Sequence, residues 1–361
     1  MKKLETNLSP EILSKNPDEF KRFLTALDCM ENYASQNKYI IDTVNNSYSK
    51  IDKKYLDKMS YDYKTRVKRL EEAINNNQIF LKEIATKFKP EEKYLQNVSI
   101  KENSSPNQTE NPYTLNWAVF LYILRDWTSE RKRERDINYI PIINMVQKYV
   151  KPGSKILIPG AALLRLGWEL AKMGYNIDAN DYYYYNVILC DYLFNYSKRN
   201  QFSFQPFIRS FSNFETEDTV FKKYSFPDED INFHLEGKGK MTMLCGDFVK
   251  LYDDKSNYYD CIVTCFFIDT AKNIFEYVEI IERILKKGGI WVNFGPLSYH
   301  WVGHQDIPTI ELPYDILKGV IQNYGFEFLH EEKNKQVKYC EIENAMKNDV
   351  YNCIFFTAQK K

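Results

Sequence analysis

Apolar side chains recur every three or four residues through the first quarter of the chain: Phe20, Phe23, Leu24 and Leu27, then Val67, Leu70, Ala73 and Ile74. That period marks one buried face of a helix, so the stretch from Asp18 to about Phe88, bounded by Pro17 and Pro90, reads as helical. The pattern stops at Lys101-Glu-Asn-Ser-Ser-Pro-Asn-Gln-Thr-Glu-Asn-Pro112, which is polar, rich in turn formers and aperiodic. It reads as a loop or partly disordered linker. It closes an N-terminal helical region, residues 1–110, ahead of a second domain at 111–361. A helix is expected from about Leu115 to Tyr149, with the charge run Arg131-Lys-Arg-Glu-Arg-Asp136 as a solvated face.

From Lys155 the period changes to short β-branched runs alternating with helical ones, as in parallel βαβ units. Strands are expected at Lys155–Pro159, Tyr175–Asn180, Met241–Cys245, Tyr259–Phe267, Gly289–Phe294, Phe326–Glu331 and Tyr351–Gln359, with a helix near Pro313–Asn323. The fold expected is α/β, a seven-stranded Rossmann-like sheet with a late antiparallel strand and an N-terminal α-helical extension.

Composition narrows the function. The 49 basic and 49 acidic residues leave no net field for nucleic acid, so a small polar substrate is expected. The seven cysteines are odd in number, scattered and without a Cys-x-x-Cys pair, which predicts neither a disulfide framework nor a zinc site. Cys261 and Cys265 share a strand face and read as a buried core pair rather than metal ligands. No apolar h-region follows Met1, and the run from Cys261 to Ile268 is too short to span a bilayer. A soluble protein of a reducing compartment, cytoplasmic or also nuclear, is expected. The Asn-x-Ser/Thr triplets at Asn97, Asn103 and Asn107 then read as chance products of composition.

In an open α/β sheet, ligands bind at the carboxyl ends of the strands. After the first expected strand comes Pro159-Gly160-Ala161, where a glycine allows close backbone approach and a helix start offers unpaired N–H groups. Asp181 follows the second, placed to accept hydrogen bonds from ribose hydroxyls. The third ends in Gly246-Asp247-Phe248, a carboxylate for an adenine amino group and a ring to cover the base. Asp269 follows the fourth strand and His300 the fifth.

Several stretches resemble the carnosine N-methyltransferase family. They are Ile158-Pro-Gly-Ala161 with Arg165-Leu166 and Trp168-Glu169; Gly246-Asp-Phe248; Asp260-Cys-Ile-Val-Thr-Cys-Phe-Phe-Ile-Asp-Thr270; and Gly289-Ile-Trp-Val-Asn-Phe-Gly-Pro-Leu-Ser-Tyr-His300. The resemblance extends to Leu124-Arg-Asp-Trp127, Glu134-Arg-Asp136, Asn76-Asn-Gln78 and Tyr351-Asn-Cys353. It implies the class I methyltransferase version of the fold and S-adenosylmethionine as cofactor. The reaction implied is methyl transfer to an imidazole nitrogen of a histidine-containing dipeptide, carnosine to anserine. By position it implies cofactor contacts from Arg125, Gly160, Asp181, Asp247, Phe248 and Cys261. Asp269, His300 and Tyr351 are the implied substrate-binding and catalytic residues, with no metal. A homodimer through the N-terminal helices is a further expectation.

The chain departs from the family pattern on the cofactor side. Where the family loop reads Pro-Gly-Ala-Gly-Leu-Gly-Arg-Leu, this chain keeps Gly160 but has Ala162 and Leu164 at the second and third glycines. A position 162 requiring positive φ would cost Ala on the order of 1 kcal/mol. Tyr122 stands for the family's Gln, Asp181 for its Glu and Lys272 for its His. Other readings are an impaired relative serving as a binding module, a methyltransferase acting on histidine in a protein or peptide, and a nicotinamide-dependent oxidoreductase. The last would want a complete Gly-x-Gly-x-x-Gly loop.

Overall fold

Helices cover both faces of a parallel sheet, so its strands can be nearly continuous apolar runs. The computed structural model describes residues 4–59, 61–95, 112–231, 238–303 and 308–361. Its strands are β1 (Glu5–Thr6), β2 (Lys155–Pro159), β3 (Asn176–Asp181), β4 (Phe202–Phe204), β5 (Tyr224–Phe226), β6 (Met241–Cys245), β7 (Tyr259–Cys265), β8 (Leu285–Gly295), β9 (Phe326–Lys338) and β10 (Val350–Lys360). Eight form the main sheet in the order β1-β6-β3-β2-β7-β8-β10-β9, and β4 and β5 make a separate antiparallel pair. β10 runs antiparallel to β8 and β9, and the other pairings are parallel.

The Rossmann-like class of fold is thus as expected, but the sheet has eight strands, not seven. The eighth is β1, only two residues long and too short to leave a period in the sequence. The chain order reverses between β2 and β7, and the crevice at the carboxyl ends there is where such a sheet takes its ligand.

The N-terminal helices Pro17–Glu31 and Tyr63–Phe88 bury Phe20, Phe23, Leu27, Leu70, Ile74 and Phe80 in one hydrophobic cluster with the sheet residues Ile156, Ile177 and Val263. The Asn76-Asn-Gln78 stretch joins layers together. Asn77 exchanges two hydrogen bonds with the backbone of Gln205, and Gln78 bridges Met30 and Ala34. The linker expected over 101–112 lies outside the described residues except for Pro112, which starts a helix.

The helix expected from Leu115 to Tyr149 is two, Pro112–Trp127 and Lys132–Tyr149, parted by a 3-10 turn at Ser129–Arg131. The charge run at this break is only partly a solvated face, with Lys132 and Arg133 exposed. Arg131, Glu134 and Arg135 are buried. Arg135 and Arg165 share Asp228 at 2.6 Å each, and Glu134 accepts the backbone N–H groups of Cys340 and Glu341. A break in the helix turned part of the run inward, where Glu134 and Arg135 have partners, as buried charges require, while Nε and Nη2 of Arg131 have none among the described residues. Among the described residues no helix is long and apolar enough to cross a membrane.

Candidate active site

The turn after β2 starts from a steric requirement. Gly160 has φ 62°, and a Cβ there would lie 2.4 Å from the Phe267 ring. Ala162 (φ 47°) and Leu164 (φ 62°) are also left-handed, at the two positions where the family pattern has glycine. The cost expected at 162 is therefore present, and 164 carries one too. The turn is held in place by its bonds. Ala161 N–H donates to the carbonyl of Asn180, Ala162 N–H to the Asp181 carboxylate at 3.0 Å, and Trp127 Nε1–H to the carbonyl of Leu163.

Asp181, at the end of β3, is buried and also accepts from Tyr183 N–H and the Asn186 amide, each at 3.0 Å. Burial raises its pKa to about 6, although these donors pull the other way. Asp247 caps the short helix after β6 by accepting from Val249 N–H. Phe248 meets Phe267 edge-on at 5.3 Å, and Phe267 stacks on Tyr277, so an aromatic wall stands beside the carboxylate.

Arg125 enters from the last turn of helix Pro112–Trp127. Burial alone would lower its pKa, but Asp126, Tyr139 and Tyr339 reverse the direction, so it is a firm cation. Two N–H groups fork onto Asp126 and a third donates to the Tyr339 hydroxyl at 3.0 Å. A guanidinium has five N–H donors, so two remain to hold a ligand carboxylate.

Asp269 lies in the 3-10 turn after β7 and is 3% exposed. Burial raises its pKa, opposed by the Ser298 N–H, which donates to Oδ2 at 2.9 Å, and by nearby His300. The His300 backbone N–H donates to the Asp269 carbonyl, which brings an exposed imidazole to the same turn. Tyr351, half-buried on β10, completes an aromatic corner with Phe266 and Tyr339.

Arg125, Gly160, Asp181, Asp247, Phe248, Asp269, His300 and Tyr351 all line one cavity of about 810 Å³. Cys261 does not. It sits inside β7, fully buried and paired with Ile156 and Ile290, while Cys265 at the strand end reaches the wall. The core reading thus holds for Cys261 and its expected cofactor contact does not. Among the described residues no cluster of His, Cys, Asp and Glu has metal-binding form.

Tyr339, Tyr183, Asn138, Asn180 and Asn186 also line the cavity and went unrecognised in the sequence. Tyr339 lies beyond the expected end of its strand, and asparagines inside helices or, like Asn180, inside a strand carry no signal of function. The amide oxygens of Asn138, Asn180 and Asn186 are buried without a partner among the described residues. Acceptors of this kind suit a ligand bearing N–H and O–H donors.

Residues 110–361 match the family model described as carnosine N-methyltransferase. The chain belongs to the carnosine N-methyltransferase family. The mouse carnosine N-methyltransferase is 36% identical over 250 residues, 67% of this chain and 62% of that protein. The Dictyostelium discoideum carnosine N-methyltransferase is 35% identical over 251 residues, 66% of this chain and 53% of that protein. The chain thus spans about three-fifths of the first relative's length and about half of the second's. Among solved structures, magnesium protoporphyrin IX methyltransferase from Synechocystis, with bound SAH, is similar at 9% identity and a TM-score of 0.40, over 69% of this chain and 94% of that one.

Proposed function

We propose that the chain is an S-adenosylmethionine-dependent methyltransferase that methylates an imidazole nitrogen of a histidine-containing dipeptide, carnosine to anserine. The observation that carries this reading is the convergence of two residue sets on one cavity. At about 810 Å³ it is toward the upper end of the usual 300–1,000 Å³ for ligand sites, with room for a cofactor and an acceptor side by side.

Arg125 grips the cofactor carboxylate with its two remaining donors, Asp181 accepts from the ribose hydroxyls, and Asp247 and Phe248 receive the adenine beside Gly160. The unpartnered amide oxygens of Asn138, Asn180 and Asn186 fit the donors such a molecule carries. The cofactor supplies an electrophilic methyl group on a sulfonium.

The residues of the other set orient the acceptor. An imidazole with a pKa near 6.5 is mostly neutral at pH 7 and needs no base to expose its lone pair. Asp269 has Oδ2 occupied by Ser298, and its other oxygen accepts the N–H of the acceptor ring. That bond fixes the tautomer and offsets the positive charge that grows on the ring. His300 and Tyr351 bracket the same ring. Lys272, also in the wall, offers a cation for a dipeptide carboxylate.

Calorimetric titration with S-adenosylhomocysteine, followed by an assay with carnosine and location of the new methyl by NMR, tests the reading. Binding plus a methyl on ring nitrogen is expected. No binding would support a binding-module role, and binding without turnover would point to histidine in a protein or peptide.

A further inference from the structure

The two carboxylates assigned to the nucleoside end of the cofactor follow β3 and β6, and both strand ends are gripped by the first residues of the chain. β1 adds to the outer edge of β6, Glu5 opposite Thr242 and Thr6 opposite Met243. The ladder then continues through a side chain. Asn7 Nδ2–H donates to the Cys245 carbonyl at 3.0 Å, and its Oδ1 accepts the Cys245 N–H at 2.8 Å. A primary amide carries the donor and acceptor of a peptide unit, so Asn7 substitutes for one more strand residue. Cys245 is the last residue before Gly246-Asp247-Phe248.

The second grip is on the turn after β3. Arg22 Nη2–H donates to the Tyr182 carbonyl at 2.7 Å, and the guanidinium lies 4.2 Å over the Tyr182 ring. Glu19 aims it, accepting from Arg22 at 2.9 Å and from the Tyr184 hydroxyl at 2.8 Å. The strap is itself anchored. Leu4 is fully buried, its N–H and C=O both engage the Asn195 side chain, and Thr6 donates to Asp191. A bond from Gly246 N–H to the Asp181 carbonyl ties the two gripped turns together.

We infer that residues 4–22 are a positioning strap for the nucleoside half of the site, with Asn7 setting Asp247 and Phe248 through Cys245 and Arg22 setting Asp181 through Tyr182. Both residues lie outside the segment matched by the family model. The inference rests on the cofactor reading above.

The full chain tests it in wild type, Asn7→Ala, Asn7→Asp, Arg22→Ala and Arg22→Lys form. Calorimetry gives S-adenosylhomocysteine affinity, kinetics give KM for S-adenosylmethionine and for carnosine, and thermal melts report folding. Asn7→Ala should weaken S-adenosylhomocysteine about tenfold and raise KM for S-adenosylmethionine to match, with KM for carnosine unchanged. Asn7→Asp, which keeps the acceptor and loses the donor, should fall between. Should Asn7→Ala not fold, Arg22→Lys carries the same expectation, since it keeps the charge beside Glu19 but loses the fork. If the wild type binds S-adenosylhomocysteine and the folded variants bind it equally well with only a lower melting point, the strap is merely structural. A wild type that binds none sinks the cofactor reading, and this inference with it.

Discussion

Asp181 and Asp247 reach the cavity at the ends of strands locked in a parallel ladder, each already accepting backbone N–H bonds. His300 and Tyr351 reach it from an exposed turn and from the outer strand pair, with no side-chain hydrogen bond joining them to each other or to Asp269 among the described residues. One half of the site is therefore set by the fold. The other is a set of groups on one cavity with no side-chain bond among them, which under the proposed function an acceptor would bridge. Such a difference is expected where one ligand is bound for its shape and the second is aligned for reaction.

The largest effect should come from the half that is not preformed. Asp269→Ala is expected to lower turnover with carnosine about 10³-fold while S-adenosylhomocysteine affinity stays within about twofold, because the role proposed for Asp269 is on the acceptor. Asp269→Asn keeps an acceptor for the Ser298 N–H but loses the charge, and should recover little. Single-turnover kinetics beside calorimetry checks both. Loss of cofactor affinity in either variant would break the division into halves, and retained turnover would overturn the role of Asp269.

On the preformed side the expected damage is to stability. Leu164 is strained at φ 62° yet 1% exposed, and its side chain fills the space left by Gly167, where a Cβ would lie 2.7 Å from Leu164 Cδ1. Leu164→Gly relieves about 1 kcal/mol of left-handed strain but forfeits about 2–5 kcal/mol of burial and packing. A net loss of about 2 kcal/mol is expected in denaturant melts. A gain would mean that the family's glycine is simply better here. The bulk that the sequence places at 164 is thus absorbed by a glycine three residues on.

The periodic parts of the chain were readable because periodicity reports burial. Six of the seven expected strands start within one residue of the observed starts, and β8 instead begins four residues earlier than expected. What escaped has no period. β1 is two residues long, Glu134 and Arg135 are buried through contacts with the chain at Cys340 and with Asp228 while Lys132 and Arg133 beside them stay exposed, and Tyr339 is brought to Arg125 by the length of β9. Strand-end residues such as Asp181 were legible since topology alone sends them to the crevice. Cys261 was misplaced because family position gives no depth along a strand, and four residues decide between core and wall.

A smaller effect sharpens the contrast through pH. Asp181 titrates at about 6 rather than 3.8 because it is buried. A carboxylate accepts from ribose hydroxyls better when ionised, so S-adenosylhomocysteine affinity should fall roughly tenfold between pH 7.5 and 5. The sign on folding is opposite. A raised native pKa gives stability that is full below 3.8 and lost as pH rises through about 6, so acidification does not unfold the protein through this group. Calorimetry across this range, with melts in parallel, separates the two. Binding without acceptor avoids titration of the substrate imidazole, and a flat profile would remove Asp181 from the cofactor contacts.

The smallest effect concerns the other strained position. Ala162 has φ 47° and a side chain of one methyl, 8% exposed, so little packing offsets its strain. Ala162→Gly relieves about 1 kcal/mol in the folded state and gives back part of it by loosening the unfolded chain. A net gain of about 0.5 kcal/mol is expected, opposite in sign to Leu164→Gly. The Ala162 N–H already donates to Asp181 at 3.0 Å, so the turn has its conformation without the glycine, and S-adenosylhomocysteine affinity should change less than twofold. Calorimetry on the variant decides this. A large rise in affinity would show that strain at 162 is holding the cofactor side back, and that this half is less complete than its hydrogen bonds indicate.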